Sequence, residues 1–232
     1  MTTDHLGGAS PGATQRILVI NPNTNTQVTR EIGRLVEQHA LNGLHIDVTN
    51  PRTGPLAIEN ATDKAAATRE VMALIKARQS VDYAGCIMAC FDDLAVREAR
   101  ELTRRPVVSL AEAGMRAAGG HGLPFTVITT FDGAVETIHS LSRDYGIDAH
   151  CRIVATGIGV SETAARTPRA EKRLHDAIVA SLEQGARAIV LGSGAFVGQA
   201  APLSKRYGVE ITDGISDAIH YVCSPLLAKF SK

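Results

Sequence analysis

The chain alternates short apolar strands with amphipathic helices, and near its middle the alternation starts over. Arg16-Ile-Leu-Val-Ile-Asn21 is a short apolar run of the kind that forms a parallel strand buried on both faces. A helix over 24–40 follows, with Val28, Ile32, Leu35 and Val36 at helical spacing. Next come an alternating strand at 45–49, an Ala-rich helix over 61–79 with Val71, Leu74 and Ile75 on one face, and a strand at 84–90. A helix from Asp92 to Thr103, a strand at 106–110 and a short helix from Glu112 complete the first half. Gly119-Gly120-His121-Gly122 then reads as a boundary. Beyond it, Phe125–Thr130 parallels 16–21, Ala188–Leu191 parallels 85–89 and Val209–Thr212 parallels 107–110. Between these lie a helix at 133–143, a strand at 152–156 and a long helix at 168–184 that opens on Pro168, a favoured first-turn residue. A closing helix from Ile215 carries Ile215, Ala218, Ile219, Val222, Leu226 and Leu227 on one side.

Position 17 maps to 126, 85 to 188 and 107 to 210, offsets of 109, 103 and 103, so one loop-length difference accounts for the change. The repeat predicts an α/β protein of two pseudo-symmetric Rossmann-like (flavodoxin-like) lobes, with parallel sheets and an interlobe cleft. The first lobe is expected to hold 16–118 plus the C-terminal helix 215–232, and the second 119–214. Residues 1–15 are polar and rich in Gly, Ser and Thr, and are expected to be a disordered tail.

Composition narrows the partners. The 24 basic and 24 acidic residues cancel, which argues against nucleic acid or an anionic membrane surface. No apolar run approaches the ~20 residues of a membrane span. Cys86, Cys90, Cys151 and Cys223 show no CxxC pair. On one extended strand, Cys86 and Cys90 stand roughly 13 Å apart, too far for a disulfide. A reduced, cytoplasmic setting fits this pattern. The eight histidines show no HxH or HExxH spacing, so no metal site is expected. Gly157-Ile-Gly159 and Gly192-Ser-Gly194 match neither GxGxxG nor GxxxxGK[ST], so no nucleotide cofactor is expected.

Parallel α/β sheets bind ligands beyond the carboxyl ends of their strands. Four such ends are legible. Asn21-Pro-Asn23-Thr24 offers amide groups and helix N–H donors to a carboxylate, imide or ureido group, or is a plain turn and N-cap. Cys90-Phe91-Asp92-Asp93 places a thiol at a strand-to-helix transition, where N–H groups favour the thiolate and the two carboxylates oppose it. Thr129, Thr130 and Phe131 offer hydroxyls and an aromatic wall. Ser193-Gly194 closes the set. The Ser193 hydroxyl is too weak an acid to serve as a base without an adjacent His or Lys, and none flanks it. Cys90 and Ser193 occupy matching places in the two halves, so they are the candidate proton carriers of the cleft. No Arg or Lys stands at a strand end, which favours a neutral ring over an acidic amino acid.

Ile-Leu-Val-Ile-Asn-Pro-Asn-Thr (17–24), Ala-Cys-Phe-Asp-Asp (89–93), Ala99-Arg-Glu-Leu-Thr103, Pro106-Val-Val-Ser-Leu-Ala-Glu-Ala113 and Ile189-Val-Leu-Gly-Ser-Gly-Ala-Phe-Val-Gly198 together resemble the aspartate/glutamate/hydantoin racemase superfamily. The likeness is nearest its hydantoin and allantoin racemases and spans about 16 to 222. It implies cofactor-independent racemisation: one thiolate removes the proton next to a carbonyl and an opposing thiol delivers one to the other face. The first cysteine matches Cys90, and the second falls on Ser193. The family's Cys-Phe-Gly-Asp reads Cys-Phe-Asp-Asp here, which adds the Asp92 carboxylate at the pocket mouth. Three readings of Ser193 stay open: an engineered replacement of a cysteine in an ordinary racemase, one-sided proton chemistry akin to the arylmalonate decarboxylases, or ligand binding without turnover. The resemblance also implies a homo-oligomer acting on a small-molecule hydantoin, ureido or carboxylate compound.

Overall fold

The computed structural model describes residues 15–38 and 43–230, with the side chains of 225–230 outside the description. Residues 1–14 of the expected tail, His5, His39 and the Leu226 and Leu227 side chains lie outside the described residues, whereas Gln15, expected in the tail, opens the first strand by pairing with Leu44. Eight strands form two four-stranded parallel sheets of the same order. The first contains β1 (Gln15–Ile20), β2 (Leu44–Thr49), β3 (Tyr83–Met88) and β4 (Val107–Ser109) in the order β2-β1-β3-β4. The second contains β5 (Phe125–Thr129), β6 (Cys151–Ala155), β7 (Ala188–Leu191) and β8 (Glu210–Thr212) in the order β6-β5-β7-β8. The duplicated, doubly wound α/β fold read from the strand pattern is therefore present. Its register refines one offset: Val19 faces Ile87 and Val127 faces Val190, so β1 maps to β5 at 108 rather than 109, while β3 maps to β7 at 103.

The central strands β1, β3, β5 and β7 are buried on both faces, which is why their sequences lack polar alternation. Helices α1 (Thr26–Glu37), α2 (Ala61–Ala77), α3 (Val96–Leu102), α5 (Gly133–Asp144) and α7 (Pro168–Glu183) cover them. Two short helices, α6 (Val160–Ala164) and α8 (Ala200–Tyr207), had no periodic signal, because neither is long enough to bury a continuous apolar stripe. Helix α4 (Leu110–Gly119) starts two residues before the expected Glu112, since the Ser109 side chain caps it by accepting from the Glu112 N–H. α4 is buried from Leu110 to Met115 and packs on α9 (Ile215–Phe230) as well as on β5 and β7. α9 in turn packs on β3 and β4 through the predicted face of Ile215, Ala218, Ile219 and Val222. One hydrophobic cluster consequently runs from Ile17 and Val19 in the first sheet to Val127 and Val190 in the second. Among the described residues, no helix is long and apolar enough to cross a membrane.

The α4–α9 seam depends on Gly214. Its φ is +80°, and a Cβ there would stand 2.2 Å from the Leu110 carbonyl oxygen. Gly214→Ala combines left-handed backbone strain with a backbone clash, so we expect a loss of about 2–4 kcal/mol. Urea unfolding reads this as a lower midpoint with an unchanged slope.

Candidate active site

The carboxyl ends of both sheets open on one cavity of about 710 Å³. Each sheet contributes the crevice beside its first strand, where the chain direction of the connections reverses. Cys90, Phe91 and Asp92 line it from the first sheet, and Thr129, Thr130, Phe131, Ser193 and Gly194 from the second. Asn21 and Asn23 also reach it, whereas Thr24 does not: its hydroxyl donates to the Pro55 carbonyl at 3.2 Å.

Asn21 is a scaffold group. It is 1% exposed, and its amide nitrogen donates to Asn23 Oδ1, the Asn25 carbonyl and Thr29 Oγ1 at 2.9–3.1 Å. These bonds shape the loop, so α1 is capped by Asn25, whose side chain accepts from the Gln27 and Val28 N–H groups. The expected helix start at Thr24 is thereby corrected by two residues. Thr129 is also structural, its hydroxyl donating to the Gly192 carbonyl at 3.1 Å. Thr130 differs. It is 1% exposed, lines the cavity, and its hydroxyl has no hydrogen-bond partner among the described residues.

The surroundings of Cys90 correct the sequence expectation. No helix begins at Asp92; α3 begins at Val96. Between them Asp93 (φ +46°) and Ala95 (φ +61°) adopt left-handed conformations that no helix continues through. The turn itself supplies part of the service expected of a helix end, because the backbone N–H groups of Asp92 and Leu94 pull the Cys90 thiol down. Burial nevertheless dominates, and pushes the thiol up to about 12, with the Asp92 and Asp93 charges adding in the same direction. Cys86, deep in the first lobe's core, is pushed up to about 12 by burial alone. Asp93 is itself raised by burial and held by a hydrogen bond from the Ser109 hydroxyl. The Tyr145 hydroxyl lies beside this carboxylate, buried and without a hydrogen bond of good geometry.

Two cations that strand-end reasoning missed line the cavity, Lys64 on α2 and Arg166 after α6. Neither stands at a strand end, so strand-by-strand inspection passes over them. Lys64 pairs with Asp92 (Nζ–Oδ2 2.9 Å), which offsets part of the rise that burial imposes on that carboxylate. Arg166 donates to the Val197 carbonyl at 3.4 Å.

Ser193 caps a single turn at Gly194–Phe196, its Oγ accepting from the Ala195 N–H at 3.2 Å. Among the described residues, no histidine lines the cavity, and no basic group hydrogen-bonds to Ser193. Gly192 precedes it because a Cβ there would stand 2.6 Å from Val127 Cγ1. Among the described residues, no group of three or more His, Cys, Asp or Glu side chains converges as metal ligands would.

Residues 17–222 match the family described as Asp/Glu/Hydantoin racemase. A hydantoin racemase of Rhizobium meliloti is 33% identical over 207 residues, 88% of this chain and 85% of that protein. Allantoin racemase from Klebsiella pneumoniae superposes with a TM-score of 0.86 at 31% identity, covering 93% of this chain and 89% of that one. The allantoin racemase of Pseudomonas fluorescens gives 0.85 at 27% identity, covering 93% and 92%.

The buried thiols carry a pH signature. An unfolded chain releases thiol protons above about pH 8.5, while folded Cys86 and Cys90 hold theirs to about 12. Over that window the unfolded state binds fewer protons, so stability falls as pH rises, by about 1.4 kcal/mol per pH unit for each thiol. Urea unfolding at a series of alkaline pH values should show the fall, and Cys90→Ala should make it shallower. The same slope in both proteins would contradict the burial of Cys90.

Proposed function

We propose that this chain, which belongs to the Asp/Glu/hydantoin racemase family, racemises 5-substituted hydantoins or allantoin without a cofactor, with Cys90 carrying the C5 proton. Racemase chemistry is what the hydantoin racemases and allantoin racemases among its relatives share. The relatives favour neither a decarboxylase nor a binder without turnover. The observation that carries the site assignment is Cys90 lining the cavity that both sheets share, where the backbone N–H groups of Asp92 and Leu94 favour its thiolate.

Removing the C5 proton breaks a C–H bond and leaves an enolate-like anion delocalised onto the adjacent carbonyl. As a thiolate, Cys90 takes that proton. With the thiol pushed up to about 12, the thiolate is scarce near neutrality, at a cost of ~1.4 kcal/mol per pH unit. The Asp92 and Leu94 N–H groups reduce that cost directly, and Lys64 reduces it by pairing with Asp92. Donors aimed at the developing oxyanion lower the barrier further. In this reading the unpartnered Thr130 hydroxyl and the Asn23 amide supply them, and Phe131 walls the ring.

Ser193 stands on the opposite side of the proposed reaction. Without an adjacent base it cannot abstract a proton efficiently, so it acts as the hydroxyl that donates toward the substrate. Delivery of a proton at its face then limits racemisation. Exchange of the C5 proton at the Cys90 face, with configuration kept, runs ahead of inversion. Four free cysteines support a reducing, cytoplasmic setting, and a homo-oligomer belongs to the same proposal.

The test uses one enantiomer of a 5-substituted hydantoin, and separately of allantoin, in heavy water. C5 deuteration is followed alongside optical rotation. Deuteration should outpace loss of rotation in the natural protein. Ser193→Cys should raise the racemisation rate by about 10²–10⁴-fold, the range of positioned acid–base groups. Absence of C5 exchange in both proteins, on both substrates, would overturn the proposal.

A further inference from the structure

The Lys64–Asp92 pair at the mouth of the cavity also reaches across to the second lobe. Lys64, in the first turns of α2, donates to Asp92 Oδ1 at 3.0 Å, and its Nζ stands 2.9 Å from Oδ2. The same ammonium donates to Thr137 Oγ1 at 3.3 Å. Thr137 sits on α5, which packs on β6 of the second sheet, while Lys64 and Asp92 belong to the elements of the first. An ammonium has three N–H donors. Two of them are used in hydrogen bonds to protein groups, Asp92 and Thr137. The Asp92 side chain is only 21% exposed and lies two residues after Cys90, in the turn shaped by Asp93 and Ala95. A half-buried carboxylate there needs a partner, because an unpaired charge in such surroundings is costly.

We propose that Lys64 is a positioning residue: it neutralises Asp92 and ties the 90–95 turn to α5 across the cleft, setting where the Cys90 thiol stands between the lobes. Three observations converge on this. The ammonium is hydrogen-bonded to two protein groups, these come from both lobes, and one of them belongs to the turn that carries the thiol. Cutting this tie frees the Asp92 carboxylate and the turn together. The inference deepens the racemase reading and rests on it for its kinetic readout alone.

The experiment is a double-mutant cycle on the full chain with Lys64→Met, Asp92→Ala and the pair. Iodoacetamide labelling of Cys90, quantified on its peptide by mass spectrometry without substrate, gives one readout. The kcat and KM for hydantoin racemisation give the other. Lys64→Met should slow labelling and lower kcat by about tenfold, a coupling within the range seen for contacting residues. KM should stay within about twofold, and the same Lys64→Met change made in the Asp92→Ala background should cost less than about twofold. Lys64→Arg should recover most of the loss. If Lys64→Met does not fold, Thr137→Val tests the cross-lobe half, with an expected fall of about threefold in kcat and labelling. Equal costs of Lys64→Met in both backgrounds, or a rise in KM at unchanged kcat, would overturn the proposal. The second result would make Lys64 a substrate contact instead. If the natural protein turns over no hydantoin, the racemase reading fails, and the labelling cycle still decides the role of Lys64.

Discussion

Burial of α4 between the two sheets is the contact on which the rest of this structure depends. A helix that packs against α9 on one side and against β5 and β7 on the other fixes the separation and tilt of the lobes. It is also covalently continuous with the site, because its first residue follows Ser109, the hydroxyl that holds Asp93 in the thiol turn. Packing in the seam is therefore transmitted to the cavity through a few short links. Close backbone approach at Gly214 and Leu110 makes the seam tight, and one hydrophobic cluster runs across it.

The symmetry of the sheets stops at the chemistry. Matching strand ends deliver a thiol in one lobe and a hydroxyl in the other, and their surroundings differ as much as their atoms. Cys90 leads into a turn with left-handed residues at 93 and 95, where the Asp92 and Leu94 N–H groups favour its thiolate and two carboxylates oppose it, one of them paired with a lysine. Ser193 caps a short turn and has a single N–H on its oxygen. A two-sided proton transfer carried out with such unequal groups is itself unequal, which is the physical content of the proposed difference between exchange and inversion.

Much of this architecture was legible in the residues. Apolar runs without alternation marked the buried parallel strands, and the Ile215, Ala218, Ile219 and Val222 stripe marked the face of α9. Cys90 and Ser193 stood out because strand ends are where such folds place ligands. What was not legible depends on backbone torsion or on side chains distant in sequence. Asp92 and Asp93 look like a helix start, yet left-handed torsions at 93 and 95 delay α3 to Val96. Asn21 looks like a ligand donor, yet three internal acceptors surround its amide nitrogen and occupy both of its N–H groups. Lys64 lies 28 residues from Asp92 and 73 from Thr137, separations at which no local pattern signals contact.

The most direct measurement is the rate of C5 deuterium uptake by a single-enantiomer hydantoin, compared between the natural protein and Cys90→Ala. Proton removal by this thiol requires that uptake fall by at least about a hundredfold, the scale of a lost general base. Uptake that persists at the natural rate without the Cys90 sulfur would contradict it, and would place the proton-carrying group elsewhere in the cavity.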